Sequence, residues 1–205
     1  NSYKGIYVEM LSDATFENVV VIDNGQIANW NGRWNAGFDI NLKGDTAGQT
    51  RVYQNLVFRN MTMTGNGLGA QDGAALMIKV RDDGSYTPYP AELNGVLVDG
   101  GIFTGNERGI RVGEPGKNNT GPTNVQIHGA AIYSNRQSYT GADGTLYGGV
   151  VNHTQTVVNA TNNWWGAADG PSGDGTGTGD AVRHAAAVVL FDPFLATTPA
   201  ALIVP

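Results

Sequence analysis

Residues 55–66 read NLVFRNMTMTGN, and the pattern of this stretch decides the fold. Leu56 and Phe58 alternate with polar neighbours, the period-two signature of a strand with one buried face. A polar residue, Asn60, breaks the run, a further apolar residue follows at Met63, and the block closes on Asn66. The same twelve-residue block recurs without gaps as GVLVDGGIFTGN from Gly95, NVQIHGAAIYSN from Asn124 and NVVVIDNGQIAN from Asn18. Its inward positions are then Val19/Val21, Leu56/Phe58, Val96/Val98 and Val125/Ile127. In the block from Asn18 the third apolar residue, Ile27, is displaced by one place, which reads as a bulge or a register difference.

Between these blocks a second pattern recurs, Gly or Ala followed by alternating apolar residues: GIYVEM from Gly5, GFDINL from Gly37, ALMIKV from Ala75, GIRVGE from Gly109 and GVVNHT from Gly149. Self-similarity at this period marks a stacked architecture in which neighbouring units close a core that none could close alone. Two strands per block plus one between blocks predict an all-β, right-handed parallel β-helix of about five coils with three short strands each. A β-propeller would need about four strands per unit and an antiparallel meander. The closing residues Asn29, Asn66, Asn106 and Asn135 are expected to stack at one sharp corner, since asparagine tolerates left-handed backbone. Insertions fall after the third strand (43–51, 81–92, 113–123) and after the asparagine corner (30–36, 67–73, 136–147). Loops on one side of a solenoid normally make its functional surface.

Thirty glycines and 15 % charged residues describe short strands and tight turns rather than helices. The formal charge of -6, with no basic run, argues against a nucleic-acid partner. No apolar stretch approaches the ~20 residues of a membrane span, and without cysteine there is neither a disulfide framework nor a thiolate metal site.

NNWWG from Asn162, DGPSG from Asp169, GTGTGDAV from Gly175 and FDPFL from Phe191 follow the last repeat. Together they resemble the closing element of secreted bacterial right-handed parallel β-helix repeat proteins. That pectate-lyase-like group includes copper-maturation periplasmic proteins, polysaccharide lyases and large surface adhesins. The resemblance covers about residues 159–195 and implies fold and export, hence an extracellular or cell-surface location; no catalytic motif carries over with it. The expected division is a parallel β-helix over 1–166 and a capping segment with an extended tail over 167–205, in one domain. Trp164 and Trp165 are expected to cover the open end of the last coil. The first coil starts without a cap, so its edge is expected to meet flanking domains of a longer protein or to associate end to end.

Three groups of residues are candidates for chemistry. The fifth block position points outward and reads Ile22, Arg59, Asp99, His128 down the stack, which places Arg59, Asp99 and His128 about 5 Å apart as a candidate catalytic column. On the third strand, Asp39, Lys79, Arg81, Arg111 and Glu114 form a mixed-charge patch for an acidic sugar, with Tyr86 and Tyr89 offering ring faces. Asp82 and Asp83 in RDDGS are candidate calcium ligands, as are Asp174 and Asp180 in GDGTGTGD; no cofactor is required otherwise. The three histidines are too scattered for a zinc site. The leading expectation is a rigid scaffold or adhesive module that binds a polysaccharide or surface glycan. The alternative is a lyase or uronate epimerase, with Arg59 neutralising a carboxylate and His128 moving a proton.

Overall fold

A computed structural model describes residues 1–28, 34–44, 48–70, 72–136 and 148–200. Three strands form the first coil: β1 (Lys4–Val8), β2 (Ala14–Glu17) and β3 (Val20–Ile22). The order repeats as β4 (Ala36–Leu42), β5 (Arg51–Arg59) and β6 (Thr62–Thr64), then β7 (Ala74–Val80), β8 (Ala91–Asp99) and β9 (Ile102–Thr104). A fourth coil holds β10 (Ile110–Val112), β11 (Thr123–His128) and β12 (Ala131–Tyr133). After it come β13 (Val150–Asn152), β14 (Val158–Asn159), β15 (Pro171–Gly173), β16 (Gly179–His184) and β17 (Val189–Leu190). Like-placed strands pair in parallel into three sheets: β1-β4-β7-β10-β13-β16-β15, β2-β5-β8-β11-β14-β17 and β3-β6-β9-β12. Only a three-residue 3-10 turn, Gly84–Tyr86, interrupts this all-β organisation among the described residues. Among the described residues no helix is long and apolar enough to cross a membrane.

The interior is built from register-matched columns. Phe38, Leu76, Ile110, Val150 and Val182 line the first sheet, Leu56, Val96, Val125 and Val158 the second, and Val21, Met63, Phe103 and Ile132 the third. Each of these side chains is buried. At the first coil Phe16 stacks on Phe58 at 5.5 Å, and Phe38 meets the Phe16 ring edge-on at 4.7 Å.

The first block aligns differently from expectation. Phe16, not Val21, stands beneath Phe58, and Val21 stands beneath Met63. The repeat unit of the first coil therefore starts at Asp13 and ends at Asn24, five residues earlier than the NVVVIDNGQIAN reading. The reason is a corner every five residues. Left-handed backbone recurs at Asp13, Asn18 and Asp23, at Asn55, Asn60 and Gly65, at Gly95, Gly100 and Gly105, and at Asn124, Gly129 and Ser134. Asn, Asp and Gly accept that conformation most readily, and sides of equal length let the pattern slip by one side without losing its alternation.

The closing asparagines are also not the left-handed residues; each directly follows one. Asn24, Asn66, Asn106 and Asn135 form a buried ladder in which backbone N–H and Nδ2 of one residue both donate to Oδ1 of the next, at 2.8–3.2 Å. Nδ2 also reaches a carbonyl of the coil before: Val21, Met63 or Phe103 at 2.9–3.0 Å. Asn29, expected in this role, lies outside the described residues, as do 30–33, 45–47, 71 and 137–147 of the expected loops.

The tryptophans do not form the cover. Trp165 is fully buried within the core, and Trp164 bridges Ala131 as the fifth rung of the third sheet, with its ring 5.1 Å from that of Tyr133. Beyond residue 166 the chain adds β16 to the first sheet and β17 to the second, and Phe191 and Phe194 pack on the core from that end. At the opposite end β1, β2 and β3 are the edges of their sheets, and Ile6, Val8, Leu11, Phe16 and Val19 are only partly buried.

Candidate functional site

Parallel rungs place residue types from distant parts of the chain side by side, so each outer sheet face must be taken column by column. On the first sheet Tyr7, Asp39, Met77, Arg111 and Val151 share one column, and Glu9, Asn41 and Lys79 another, each pointing away from the core as alternation requires. The expected exposed patch is nevertheless absent here. Asp39 and Arg111 are 0 % exposed and Lys79 2 %, because this face is covered. Lys79 Nζ sits 2.9–3.0 Å from both carboxylate oxygens of Asp39, and Lys4 Nζ lies 2.6 Å from Oδ2. Asp72, from the insertion after the ladder corner, pairs with Arg108 at 3.2 Å and receives an Arg111 N–H on its carbonyl oxygen. Burial lowers the Lys79 ammonium to about 8, with Arg111 adding repulsion and Asp39 opposing both. Asp39 stays below the usual carboxylate range, because Lys79 and Lys4 outweigh its own burial. These groups are an internal ion cluster, closed to a polysaccharide.

Arg81 belongs to a separate loop cluster. Its Nε and Nη2 make a fork on Asp83 at 2.6 and 3.0 Å, Lys117 approaches the same carboxylate at 3.1 Å, and Asn119 donates to it at 3.1 Å. Asp82 accepts the Thr120 N–H at 2.8 Å and an Asn119 amide N–H. Arg81, Asn119 and Lys117 hold the Asp83 carboxyl far below its ordinary value despite partial burial. Oxygens so engaged by donors are poorly placed to coordinate calcium, and no group of three His, Cys, Asp or Glu among the described residues could hold a metal ion. Tyr86 lies under the Arg81 guanidinium at 5.5 Å, Tyr89 is exposed, and Glu114 is buried at the start of the neighbouring loop. Asp174 and Asp180 have other duties: Asp174 pairs with Arg183 at 2.6 Å and with His184, and Asp180 ends the asparagine ladder.

The second sheet is different, because its outer face stays open along the stack. Glu17, Arg59, Asp99 and His128 occupy consecutive rungs of one column. Arg59, Asp99 and His128 are thus brought together as expected, but Glu17 replaces Ile22 as their lower neighbour, a consequence of the shifted first block. Arg59 Nε donates to Asp99 Oδ2 at 3.1 Å, with both side chains substantially exposed. His128 is turned away from this pair: Nδ1 lies 2.9 Å from the Thr161 carbonyl and Nε2 2.7 Å from Gln126 Oε1. Both ring nitrogens therefore face partners other than Asp99.

Toward the starts of β8 and β11 and along β14 runs an amide-lined furrow. One stretch of about 290 Å³ is bordered by Val52, Pro90, Glu92, Asn94, Thr120 and Thr123, and a second of about 430 Å³ by Thr123, Asn124, Gln126, Val157, Asn159 and Leu190. Thr123 belongs to both, so the two stretches meet. Asn94 Oδ1 accepts from Thr123 Oγ1 at 3.1 Å and from the Asn124 amide, and Gln126 Oε1 accepts from Asn159 Nδ2 at 3.1 Å. Such rows of amides and hydroxyls, held by each other, can exchange hydrogen bonds with a hydroxyl-rich ligand. Asn94, Thr123, Asn124, Gln126 and Asn159 carry no charge, so acid–base chemistry gives no signal for them; the signal available in the sequence is their recurrence on like-placed strands. No protein-family model, no curated protein and no solved structure matches this chain.

Proposed function

We propose that the chain is a right-handed parallel β-helix serving as a rigid module of a larger secreted or cell-surface protein, and that it binds glycan along the outer face of its second sheet. Right-handed winding is supported by the strong chiral preference of parallel β crossovers. The observation that carries the binding reading is the open furrow of mutually hydrogen-bonded amides on the second sheet, whose outer face also carries the exposed Arg59–Asp99 pair. Arg59 uses Nε on Asp99, and its terminal nitrogens face solvent, where they suit a sugar carboxylate or hydroxyl.

Binding rather than catalysis is favoured by His128. A lyase or epimerase needs a base aimed at substrate, whereas both imidazole nitrogens are already spent on Thr161 and Gln126. The test is a glycan array probed with the parent protein and Arg59→Ala, beside an assay for unsaturated products from uronans and one for proton exchange. Glycan binding that Arg59→Ala weakens, without turnover, is the expected result. Turnover abolished by His128→Ala would establish the enzyme reading instead.

A further inference from the structure

Where β16 turns toward β17 there is a groove of about 330 Å³ that adjoins the second-sheet furrow at Leu190 and is otherwise lined by Asp174, His184, Val188, Val189, Phe191 and Asp192. That volume is at the small end of ligand sites. One side is apolar: Val188 and Leu190 are exposed, and Phe191 is half-buried. The other side holds an oriented imidazole. His184 Nδ1 is paired with Asp174 Oδ2, and the other oxygen of Asp174 is held by Arg183 Nη1 at 2.6 Å. Asp174 is fixed in turn by its own backbone N–H, which donates to the Val182 carbonyl at 2.9 Å. Among the described residues none is hydrogen-bonded to His184 Nε2. Unlike His128, this ring keeps a nitrogen available beside a groove.

We propose that this groove is a sugar-binding subsite for a neutral pyranose, whose C–H face lies on Val188, Leu190 and Phe191 while its hydroxyls bond His184 Nε2 and the Asp192 carboxylate. The inference rests on the glycan-binding reading and deepens it by naming a ligand class. Charge selects the class. Arg183 neutralises Asp174, which leaves the Asp192 carboxylate as the uncompensated charge at the rim, so a uronate or phosphate would meet repulsion. A ring with an apolar face and hydroxyl donors at its edge matches a wall that is apolar on one side and accepting on the other. Asp174 is a positioning residue, since it fixes the orientation of His184 without reaching the apolar side.

The experiment is a titration of the whole protein with neutral manno-, xylo- and cello-oligosaccharides and, separately, oligogalacturonate, following the His184 ring signals by NMR. Neutral sugar is expected to shift those signals at millimolar concentration, with affinity falling about tenfold in each of His184→Ala and Val188→Asp. Thermal melts of both variants establish that they fold. Perturbation of His184 by oligogalacturonate but not by neutral sugars overturns the proposal while leaving the second-sheet reading intact. Silence of His184 toward every sugar, with glycan retained at Arg59, does the same; loss of glycan binding everywhere removes both.

Discussion

Asp180 stands where the next asparagine of the ladder would be, and that single replacement should make stability fall with pH. Its Oδ2 accepts the Asn135 backbone N–H at 3.1 Å and Nδ2–H at 2.7 Å. Burial raises its carboxyl to about 6, more than the hydrogen bonds from Asn135 and Ser134 lower it. In the unfolded chain an aspartate titrates near ~3.9. Between those values the native state holds a proton that the unfolded state has lost, so the stabilisation is complete below about pH 4 and disappears as pH rises through about 6. A difference of about 2 pKa units corresponds to about 3 kcal/mol. Asp180→Asn keeps the acceptor for Asn135 and adds an amide donor, for which the register offers the Ile132 carbonyl, the counterpart of Phe103 one coil earlier. Urea unfolding of parent and variant from pH 4 to 8 isolates the effect, because Asp39, Glu9 and Asp83, whose carboxyls are lowered, contribute equally to both curves. The variant's advantage should grow from near zero at about pH 4 to about 3 kcal/mol above pH 7. An advantage that does not change with pH would refute the assignment.

Removing a middle rung should be costly: Asn106→Ala strips the acceptor from Asn66 N and Nδ2 and removes the amide donor from the Met63 carbonyl, a loss of about 3 kcal/mol or more by urea unfolding. Lys79→Met leaves the buried Asp39 carboxylate with Lys4 alone and should cost about 3–5 kcal/mol, whereas adding Asp39→Asn in the same chain should recover most of that loss. Arg59→Ala should change stability by less than about 1 kcal/mol, since the Arg59–Asp99 pair is exposed, while weakening glycan binding measured by calorimetry. Chelator or added calcium should leave the melting temperature unchanged, because Asp82 and Asp83 already satisfy Arg81, Lys117, Asn119 and Thr120.

Much of the architecture was legible because alternation and block length are set by backbone geometry. NLVFRNMTMTGN, GVLVDGGIFTGN and NVQIHGAAIYSN superpose in the structure as they do on paper. The first coil was misplaced by one side because Asn18-Val-Val-Val also satisfies alternation, and no local signal separates a corner asparagine from a ladder asparagine. Their environments differ entirely: Asn60 turns a left-handed corner at the surface, whereas Asn66 is buried with its amide saturated. The Arg59, Asp99 and His128 column was recovered by register alone, but which way His128 leans depends on Thr161 and Gln126, and side-chain choice between neighbours is invisible to periodicity. Alternation points the charged third-strand residues outward and so predicts surface positions; that expectation fails wherever an insertion folds back, as the one carrying Asp72 does.

That covering also explains why recognition is argued for the second sheet. An outer face closed by an insertion must satisfy every buried charge internally, which Asp39 does with Lys79 and Lys4, leaving nothing to offer a ligand. The third sheet presents Val20, Ile22, Thr62, Thr64, Ile102 and Thr104, among which only hydroxyls can exchange hydrogen bonds. The second sheet alone combines exposure with amides, a guanidinium and a lengthwise furrow, and its side chains hold one another across rungs rather than supporting the core. Substitutions there should consequently separate binding from stability, whereas substitutions in the asparagine ladder should not, because Asn66, Asn106 and Asn135 are the joints that tie each coil to the next.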